Sequence, residues 1–226
     1  MKESPKNTKK KVLMCYHSAD YGGVEQQIAD IINGLSGDID FYIACPNGPL
    51  VKKYFEAGAV GHINIKPKSE ADFIYSLNIA RLIKKKKIDI VHSHELLTGF
   101  LAMLGAWIAG CERRIYHVHT SFTEWKHKGI KKYPALFVNT LANYIAGNFF
   151  ATDVLALTGE IKRVRMKKEF IKESKITVIP NGVDLKRFKF SEIDRDFIRD
   201  RYNISSNDIV IGNMARFTEE KGQAVL

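Results

Sequence analysis

The stretch that decides the predicted fold is "VLMCYHSADYGGVEQQIADIINGL", residues 12–35. Its first five residues form an apolar run typical of a buried strand. A short loop ending in Gly22 and Gly23 follows, and apolar residues then recur every three or four positions on one helical stripe: Val24, Ile28, Ile31, Ile32 and Leu35. A strand, a loop and an amphipathic helix make half of a βαβ unit, so this stretch predicts an α/β fold.

The same alternation continues along the chain. Short apolar, β-branched or aromatic runs predict strands at 41–45, 88–92, 115–119, 154–157 and 176–179, each followed by a loop and a helical pattern. Strands that alternate with helices imply right-handed crossovers and a parallel sheet covered on both faces. We therefore predict a doubly wound parallel sheet, a Rossmann-like α/β domain.

The sequence becomes polar and charged after "VIPNGVD", and this change in composition divides the chain into three predicted parts. Residues 1–184 form the Rossmann-like domain, and residues 185–207 form a polar linker with one short helix at 193–202. Residues 208–226 predict the first strand, at 209–215, and the first helical turn, at 222–226, of a second domain. A complete α/β domain needs on the order of 100 residues, so we expect this second domain to be truncated.

Composition limits the functional classes without choosing among them. The chain has 226 residues and a net charge of +10, with basic runs at 84–87, 126–132 and 161–172. Such runs attract nucleic acid, anionic lipid or phosphorylated small molecules, although one run alone is typical of a solvated helix face. Cys15, Cys45 and Cys111 lack paired or metal-type spacing and are predicted to be core residues of a protein from a reducing compartment. No secretion signal is visible, so we expect a cytoplasmic protein.

Two loops have the composition of an anion site. Gly22 and Gly23 let the backbone approach a ligand closely at the start of a helix, although a glycine pair there is more often a simple turn. Near the end of the chain, Arg216 follows the predicted strand and Lys221 precedes Gly222. A guanidinium and an ammonium group together can hold a diphosphate and stabilise it as it leaves.

The histidines come in two pairs, His92 with His94 and His117 with His119. Residues i and i+2 of a strand share a face, so each pair can present two ring nitrogens to one metal ion. A metal site also calls for an acidic third ligand, and the nearby Glu95 is only a neighbour in sequence. We predict no metal site and take His119, at the end of an apolar strand, as the histidine that faces a ligand.

Five motifs taken in order resemble the retaining glycosyltransferases of family 4, which have the GT-B fold. They are "GGVEQQIADIINGL", "DIVHSHELLTGFLA", "YHVHTSF", "VIPNGVDLKRF" and "IGNMARFTEEKGQAVL". The resemblance covers nearly the whole chain. It implies two Rossmann-like domains that face each other across a cleft, with a nucleotide-diphosphate sugar held mainly by the second domain and the acceptor mainly by the first.

The resemblance also implies roles for particular residues. Arg216 and Lys221 would grip the donor diphosphate as catalytic and donor-binding residues, Gly22 and Gly23 would lie near the sugar phosphate, and His119 would face the transferred sugar. Asn181 of "IPNGVD" joins the donor-binding set. Such enzymes are similar in needing no metal or other cofactor. The family's pair of glutamates, about eight residues apart in the second domain, is absent here, so these 226 residues alone are expected to lack transferase activity.

The expected partners are a nucleotide-sugar donor and a glycan or lipid-linked acceptor of polysaccharide biosynthesis, without nucleic acid. The aromatic helix "YPALFVNTLANYIAGNFF" and the basic runs suggest peripheral docking on an anionic membrane, at its inner face. The same helix is equally well explained as part of the core. Two other functions stay open from the sequence: a basic nucleic-acid-binding α/β module, and a metal-dependent α/β hydrolase that uses the paired histidines.

Overall fold

The computed structural model describes residues 9–119, 132–185, 188–215, 217 and 221–225. The predicted basic run at 126–132 therefore lies almost wholly outside the described residues. The chain divides between Gly182 and Val183 into two compact units, which are treated separately below. None of the helices in the described ranges is long and apolar enough to cross a membrane.

The first unit is built on one seven-stranded parallel sheet, which confirms the predicted fold class. Its strands are β1 (Lys10–Cys15), β2 (Ile39–Cys45), β3 (Gly61–Asn64), β4 (Ile90–His94), β5 (Arg113–His117), β6 (Asp153–Ala156) and β7 (Ile176–Val178), and their order is β3-β2-β1-β4-β5-β6-β7. The helices are α1 (Gly23–Leu35), α2 (Leu50–Glu56), α3 (Phe73–Lys86), α4 (Leu96–Ile108), α5 (Lys132–Ile145) and α6 (Gly159–Lys168). A π-helical turn, Ala146–Phe150, extends α5.

The two faces of the sheet carry separate apolar cores. Along β1, Leu13 and Cys15 point into the core that includes residues of α3 and α4, whereas Val12 and Met14 point into the core with α1 and α2. This alternation follows from the two-residue period of a strand whose faces are both covered. All three cysteines are free and buried, as predicted: Cys15, Cys45 and Cys111.

Strand β3 was not predicted from the sequence. It is a short edge strand, "GHIN", without an apolar run, and among the described residues it pairs with β2 alone. An edge strand takes its stability from one neighbour, so its own residues need not show the apolar pattern of a central strand. Its presence extends the parallel sheet beyond the predicted set.

Strands β4 and β5 are displaced by two residues from their predicted positions. Ile88 and Asp89 precede β4 because the Ile88 N–H closes α3 on the Ile83 carbonyl, 3.0 Å away. β5 begins at Arg113, whose charged end reaches Asp153 at 3.1 Å while its backbone pairs with β4. His94 is therefore inside the sheet, and His119 lies two residues beyond it.

The two basic runs in the described ranges differ in their exposure to solvent. Lys84, Lys85 and Lys86 are exposed in the last turn of α3, where cations interact favourably with the helix dipole. The interpretation as a solvated face is confirmed for them. It is wrong for part of 161–172, because Arg165 of α6 is fully buried against Glu169. Hydropathy cannot distinguish a paired, buried arginine from a surface one.

The second unit, Val183–Leu226, contains α7 (Glu192–Arg201), close to the predicted helix at 193–202. Ser191 caps α7 by accepting a hydrogen bond from the Asp194 N–H at 3.2 Å. The strand predicted at 209–215 is not formed, and Ile209, Ile211 and Met214 are largely exposed. A strand needs a pairing partner, and the described part of this unit contains no other strand.

Replacing Gly105 by alanine is expected to destabilise the first unit by roughly 1–3 kcal/mol. A Cβ there would lie 2.5 Å from the backbone oxygen of Ser76, where α4 packs on α3. Gly34 of α1 is the matched control, because a Cβ there meets nothing within 4 Å. Gly34→Ala should stabilise by roughly 0.5–1 kcal/mol. Urea unfolding measures both, and equal effects at the two glycines would contradict this packing.

Candidate functional site

The loops that follow β1, β4 and β5 converge at one edge of the sheet, here called the carboxyl edge. β1 lies between β2 and β4, so the chain winds in opposite directions from this point. In doubly wound sheets ligands bind in the crevice outside the strand ends at such a reversal. The carboxyl edge carries the Gly22–Gly23 loop, the end of β4 with Glu95, and His119 after β5.

The glycine loop leads directly into α1. Gly22 has φ −161° and ψ 170°, an extended conformation open to any residue, so its turn does not explain the glycine. A Cβ at Gly22 would lie 2.3 Å from a carboxylate oxygen of Glu25, and Glu25 is only 5% exposed. Glu25 therefore occupies the space beside Gly22 at the positive end of the helix dipole. A Cβ at Gly23 meets nothing within 4 Å, so Gly23 is the open part of the loop.

Asn181 lies near the glycine loop. Its side-chain oxygen accepts a hydrogen bond from the Gln27 amide group, one turn into α1. The structure thus brings together the loop that follows β7 and the helix that begins at Gly23. The predicted donor-binding residues of the first unit, Gly22, Gly23 and Asn181, share the neighbourhood of α1.

Four buried histidines form a stack on β4, on β5 and just beyond β5, here called the histidine ladder. Register explains it, because His94 pairs with His117 and each strand adds a second histidine two residues away on the same face. The His94 Nδ1 atom lies 2.9 Å from His119 Nε2, and His92 Nε2 lies 3.3 Å from His117 Nδ1. The ladder rings are those of His92, His94, His117 and His119.

Burial keeps the ladder neutral. Desolvation, with the charge of neighbouring histidines, lowers the pKa of His92 to about 3 and of His117 to about 2. Desolvation followed by the charge of Arg165 lowers the pKa of His119 to about 4. Desolvation, with the charges of the other three ladder histidines, lowers the pKa of fully buried His94 well below its usual value. Near neutral pH, each ring therefore offers one N–H donor and one lone pair.

The ladder satisfies the distances of a metal site but not its ring geometry. One ring nitrogen from each of His92, His94 and His117 lies within 4.8 Å of the others. The His92 and His94 rings are stacked at 4.3 Å with planes 26° apart, and His92 and His117 are only 15° apart. Imidazole lone pairs lie in the ring plane, so stacked rings direct them side by side rather than at one ion. This geometry disfavours the metal-dependent hydrolase.

A buried ion pair supports the segment that precedes His119. Arg165 donates to Glu169 at 3.2 Å and to the carbonyl of Val118 at 3.4 Å, and its guanidinium lies 5.5 Å from the ring centre of Tyr116. The Tyr116 hydroxyl in turn donates to Asn143 of α5 at 2.7 Å. These contacts fix the backbone that carries His119 from the side of the sheet opposite α1.

The structure describes only one of the two predicted cationic residues of the second unit. Arg216 lies outside the described residues. Lys221 is exposed and is followed by Gly222, which has φ +67°, and by a 3₁₀ turn, Gln223–Val225, where the start of an α-helix was predicted. Their contact with a diphosphate stays a prediction.

Several residues of this edge were not predicted from the sequence. Glu25 had a usable signal, since it follows the glycine pair by two positions in the first helical turn. His94 could have been placed beside His119 only with the strand register in hand. Arg165 gave no signal, because it stands within a run of exposed cations. Glu95 adopts a left-handed conformation at φ +67° and ends the predicted "VHSHE" motif.

Known proteins resemble this chain in both sequence and fold. Residues 21–187 match the family model of Glycosyltransferase Family 4. The Escherichia coli UDP-Gal:alpha-D-GlcNAc-diphosphoundecaprenol alpha-1,3-galactosyltransferase is 31% identical over 146 residues, which cover 64% of this chain and 36% of that protein. The capsular polysaccharide biosynthesis glycosyltransferase CapM of Staphylococcus aureus is 27% identical over 193 residues, covering 82% of this chain and 48% of CapM.

Among solved structures, Anabaena HepE in complex with UDP superposes with a TM-score of 0.75 at 18% identity, covering 96% of this chain and 56% of HepE. At this identity the likeness concerns the fold alone. The chain spans between 36% and 57% of the length of the curated relatives that it matches.

Proposed function

Because this chain belongs to Glycosyltransferase Family 4, we propose that it is part of an enzyme that transfers a sugar from a nucleotide-diphosphate donor to a glycan acceptor. The family match carries the proposal: it begins at residue 21, just before the Gly22–Gly23 loop, and runs through β2 to β7. The convergence of Gly23, Asn181 and His119 at this edge supports it, since sheets of this topology bind ligands there.

The proposed mechanism is retaining transfer without a metal ion. Arg216 and Lys221 neutralise the charge that develops on the leaving diphosphate, so the chemistry needs no Lewis acid. His119, neutral at physiological pH, hydrogen-bonds the transferred sugar. The acceptor oxygen bonds to the anomeric carbon on the face that the diphosphate leaves, as the bond from that carbon to the diphosphate oxygen breaks in an ion-pair-like transition state, and the acceptor's proton passes to the departing phosphate oxygen.

The experiment uses the full product of the reading frame that contains these residues, incubated with radiolabelled nucleotide sugars and bacterial membranes. The name of the Escherichia coli relative contains UDP-Gal and diphosphoundecaprenol, so UDP sugars and lipid-diphosphate glycans are tested first. Label entering the lipid or polysaccharide fraction supports the proposal. Tight nucleic-acid binding at about 150 mM salt with no transfer to any acceptor would favour the nucleic-acid module instead.

Gly23→Ala is expected to weaken nucleotide-sugar binding about tenfold while leaving the unfolding free energy within about 0.5 kcal/mol. Nothing within 4 Å obstructs a Cβ at Gly23 inside the protein, so only an approaching ligand would meet the methyl group. Calorimetric titration of the full product with donor measures the binding. Unchanged affinity would remove Gly23 from the donor site.

We also propose that the protein docks on an anionic bilayer through an apolar patch around the π-helical turn. Asn148 joins the parts of the patch, donating to the carbonyls of Tyr144 and Phe170, both at 3.0 Å. Phe149 is 60% and Phe170 63% exposed. The patch and the exposed cations nearby consist of Tyr144, Phe149, Phe170, Lys167, Lys168 and Lys172. Aromatic and cationic side chains together are typical of surfaces that bind anionic lipid.

Vesicle flotation tests the docking. The wild-type protein should float with vesicles containing about 30% anionic lipid and remain unbound with neutral vesicles, because each cation near the surface adds about 1 kcal/mol. The double variant Phe149→Ser/Phe170→Ser should lose most of the bound fraction. Phe73→Ser, which changes an exposed phenylalanine of α3, is the control. Equal losses in both variants would contradict this patch as the docking surface.

A further inference from the structure

The His94–His119 contact also determines which ring nitrogens of the two histidines carry protons. The two nitrogens lie 2.9 Å apart, and both rings are uncharged near neutral pH, so a single proton lies between them. Either His94 donates from Nδ1 or His119 donates from Nε2. Each choice fixes the proton on the remaining nitrogen of both rings, including the nitrogen that His119 has left for a ligand.

Unpaired atoms in the ladder distinguish the two arrangements. The Nε2 atoms of His94 and His117 are buried and have no hydrogen-bond partner among the described residues. If His119 donated, His94 Nε2 would be a buried N–H without an acceptor. If His94 donates, its Nε2 carries only a lone pair. Buried N–H groups without a partner are rarer than under-satisfied acceptors.

The second contact of the ladder can also be arranged so that no buried N–H lacks an acceptor. If His117 donates from Nδ1 to His92 Nε2, 3.3 Å away, then His117 Nε2 is also a bare lone pair. In this arrangement neither orphaned nitrogen is a buried donor. A single rule, donation from Nδ1 by the two most buried rings, therefore describes both contacts.

We propose that His94 is a positioning residue that fixes the tautomer of His119, so that His119 holds its proton on Nδ1 and donates it to an oxygen of the bound ligand. The identity of that ligand as the transferred sugar rests on the proposed function, whereas the tautomer does not. Within the residues that the structure describes, the ring contact of His119 uses Nε2, and no hydrogen bond of Nδ1 is present. As an N–H donor, His119 can orient a sugar oxygen but cannot accept a proton from it.

Histidine ¹⁵N NMR of the unliganded chain tests the tautomer, since the two ring nitrogens differ strongly in shift when one is protonated. We expect protonated Nδ1 and bare Nε2 for both His94 and His119, unchanged between pH 8 and 7. His62 gives an internal reference of the opposite kind, because its Nε2 lies 3.0 Å from the Cys45 carbonyl, which can only accept. Protonated Nε2 on His119 would overturn the proposal.

Two variants separate positioning from packing. His94→Asn keeps an amide donor near the former Nδ1 and should preserve the His119 tautomer, whereas His94→Phe keeps a ring without a donor. In His94→Phe, His119 should revert to the Nε2–H form that free histidine favours. An unchanged His119 tautomer in folded His94→Phe would contradict the role of His94, and the wild-type spectrum decides the tautomer even if a variant fails to fold.

A second measurement separates this inference from the proposed function. In the full product, His94→Phe is expected to lower kcat by roughly 10- to 100-fold with little change in KM for the donor, as for a misplaced catalytic group. His94→Asn should restore most of kcat. An absence of transferase activity in the wild type would contradict the proposed function without affecting the NMR result. Equal kcat values in wild type and His94→Phe would contradict only the positioning role.

Discussion

Lowering the pH from 7 to 5 is expected to remove roughly 5–8 kcal/mol from the unfolding free energy of the first unit, which is comparable to the whole stability of a typical domain. The cause is the histidine ladder. Burial depresses the folded-state pKa values of its members, to about 3 for His92, 2 for His117 and 4 for His119. In the unfolded chain a histidine titrates near 6.5.

The sign follows from proton linkage. Below about pH 6.5 the unfolded chain binds protons that the folded ladder does not, so unfolding becomes easier as the pH falls. The stability that the neutral ladder contributes is complete above about pH 6.5 and is lost progressively as the pH falls toward the folded-state pKa values of about 4, 3 and 2. Each histidine contributes roughly 2 kcal/mol between pH 7 and 5.

Urea unfolding at half-unit steps of pH measures this loss. The slope of unfolding free energy against pH, near pH 5.5, should correspond to nearly four protons taken up on unfolding, beyond those of other groups. His117→Phe should reduce the slope by about one proton, and His62→Gln, outside the ladder, should serve as the control. A wild-type slope equal to that of His117→Phe would contradict a neutral buried ladder.

The second large effect is expected for Arg216→Ala in the full product: a fall in kcat of roughly 10²- to 10³-fold, the scale of losing one preorganised charge stabiliser. The proposed role of Arg216 is to stabilise the leaving diphosphate. Arg216→Lys should recover only part of the rate, because an ammonium group lacks the forked donors of a guanidinium. Steady-state transfer of labelled sugar gives kcat and KM separately.

Arg201→Ala is the matched control for Arg216, because Arg201 is an exposed arginine at the end of α7. It should leave kcat within about twofold of wild type. A loss of only twofold in Arg216→Ala would remove that residue from the catalytic site. A similar large loss in both variants would point to a general charge effect rather than to a specific contact.

The fold class was predictable because its evidence is local and repeated. Each βα step shows its own period, and Ile28 and Ile32 of the predicted stripe on α1 are buried, although Leu35 at its end is 45% exposed. The elements that were not predicted correctly are those that depend on a neighbouring strand. The edge strand β3 takes its order from β2, and the run at 209–215, apolar enough for a strand, has no pairing partner within the described part of its unit.

Some residues of the candidate site were predictable, but the contacts between their side chains were not. The glycine pair and His119 were recognised from their positions after apolar runs. The sequence could not place His94 Nδ1 against His119 Nε2, because that contact arises from the register of β4 with β5. Nor could it show that Glu25 fills the space beside Gly22, since this depends on a side-chain rotamer.

We propose that the nucleotide sugar binds at the carboxyl edge of the parallel sheet. The most direct measurement is a crystal structure of the full product with an unhydrolysed donor analogue. We predict the transferred sugar within hydrogen-bond distance of His119 Nδ1 and the diphosphate beside Gly23. A donor bound at the opposite end of the sheet, or on a surface that includes neither residue, would contradict this binding site.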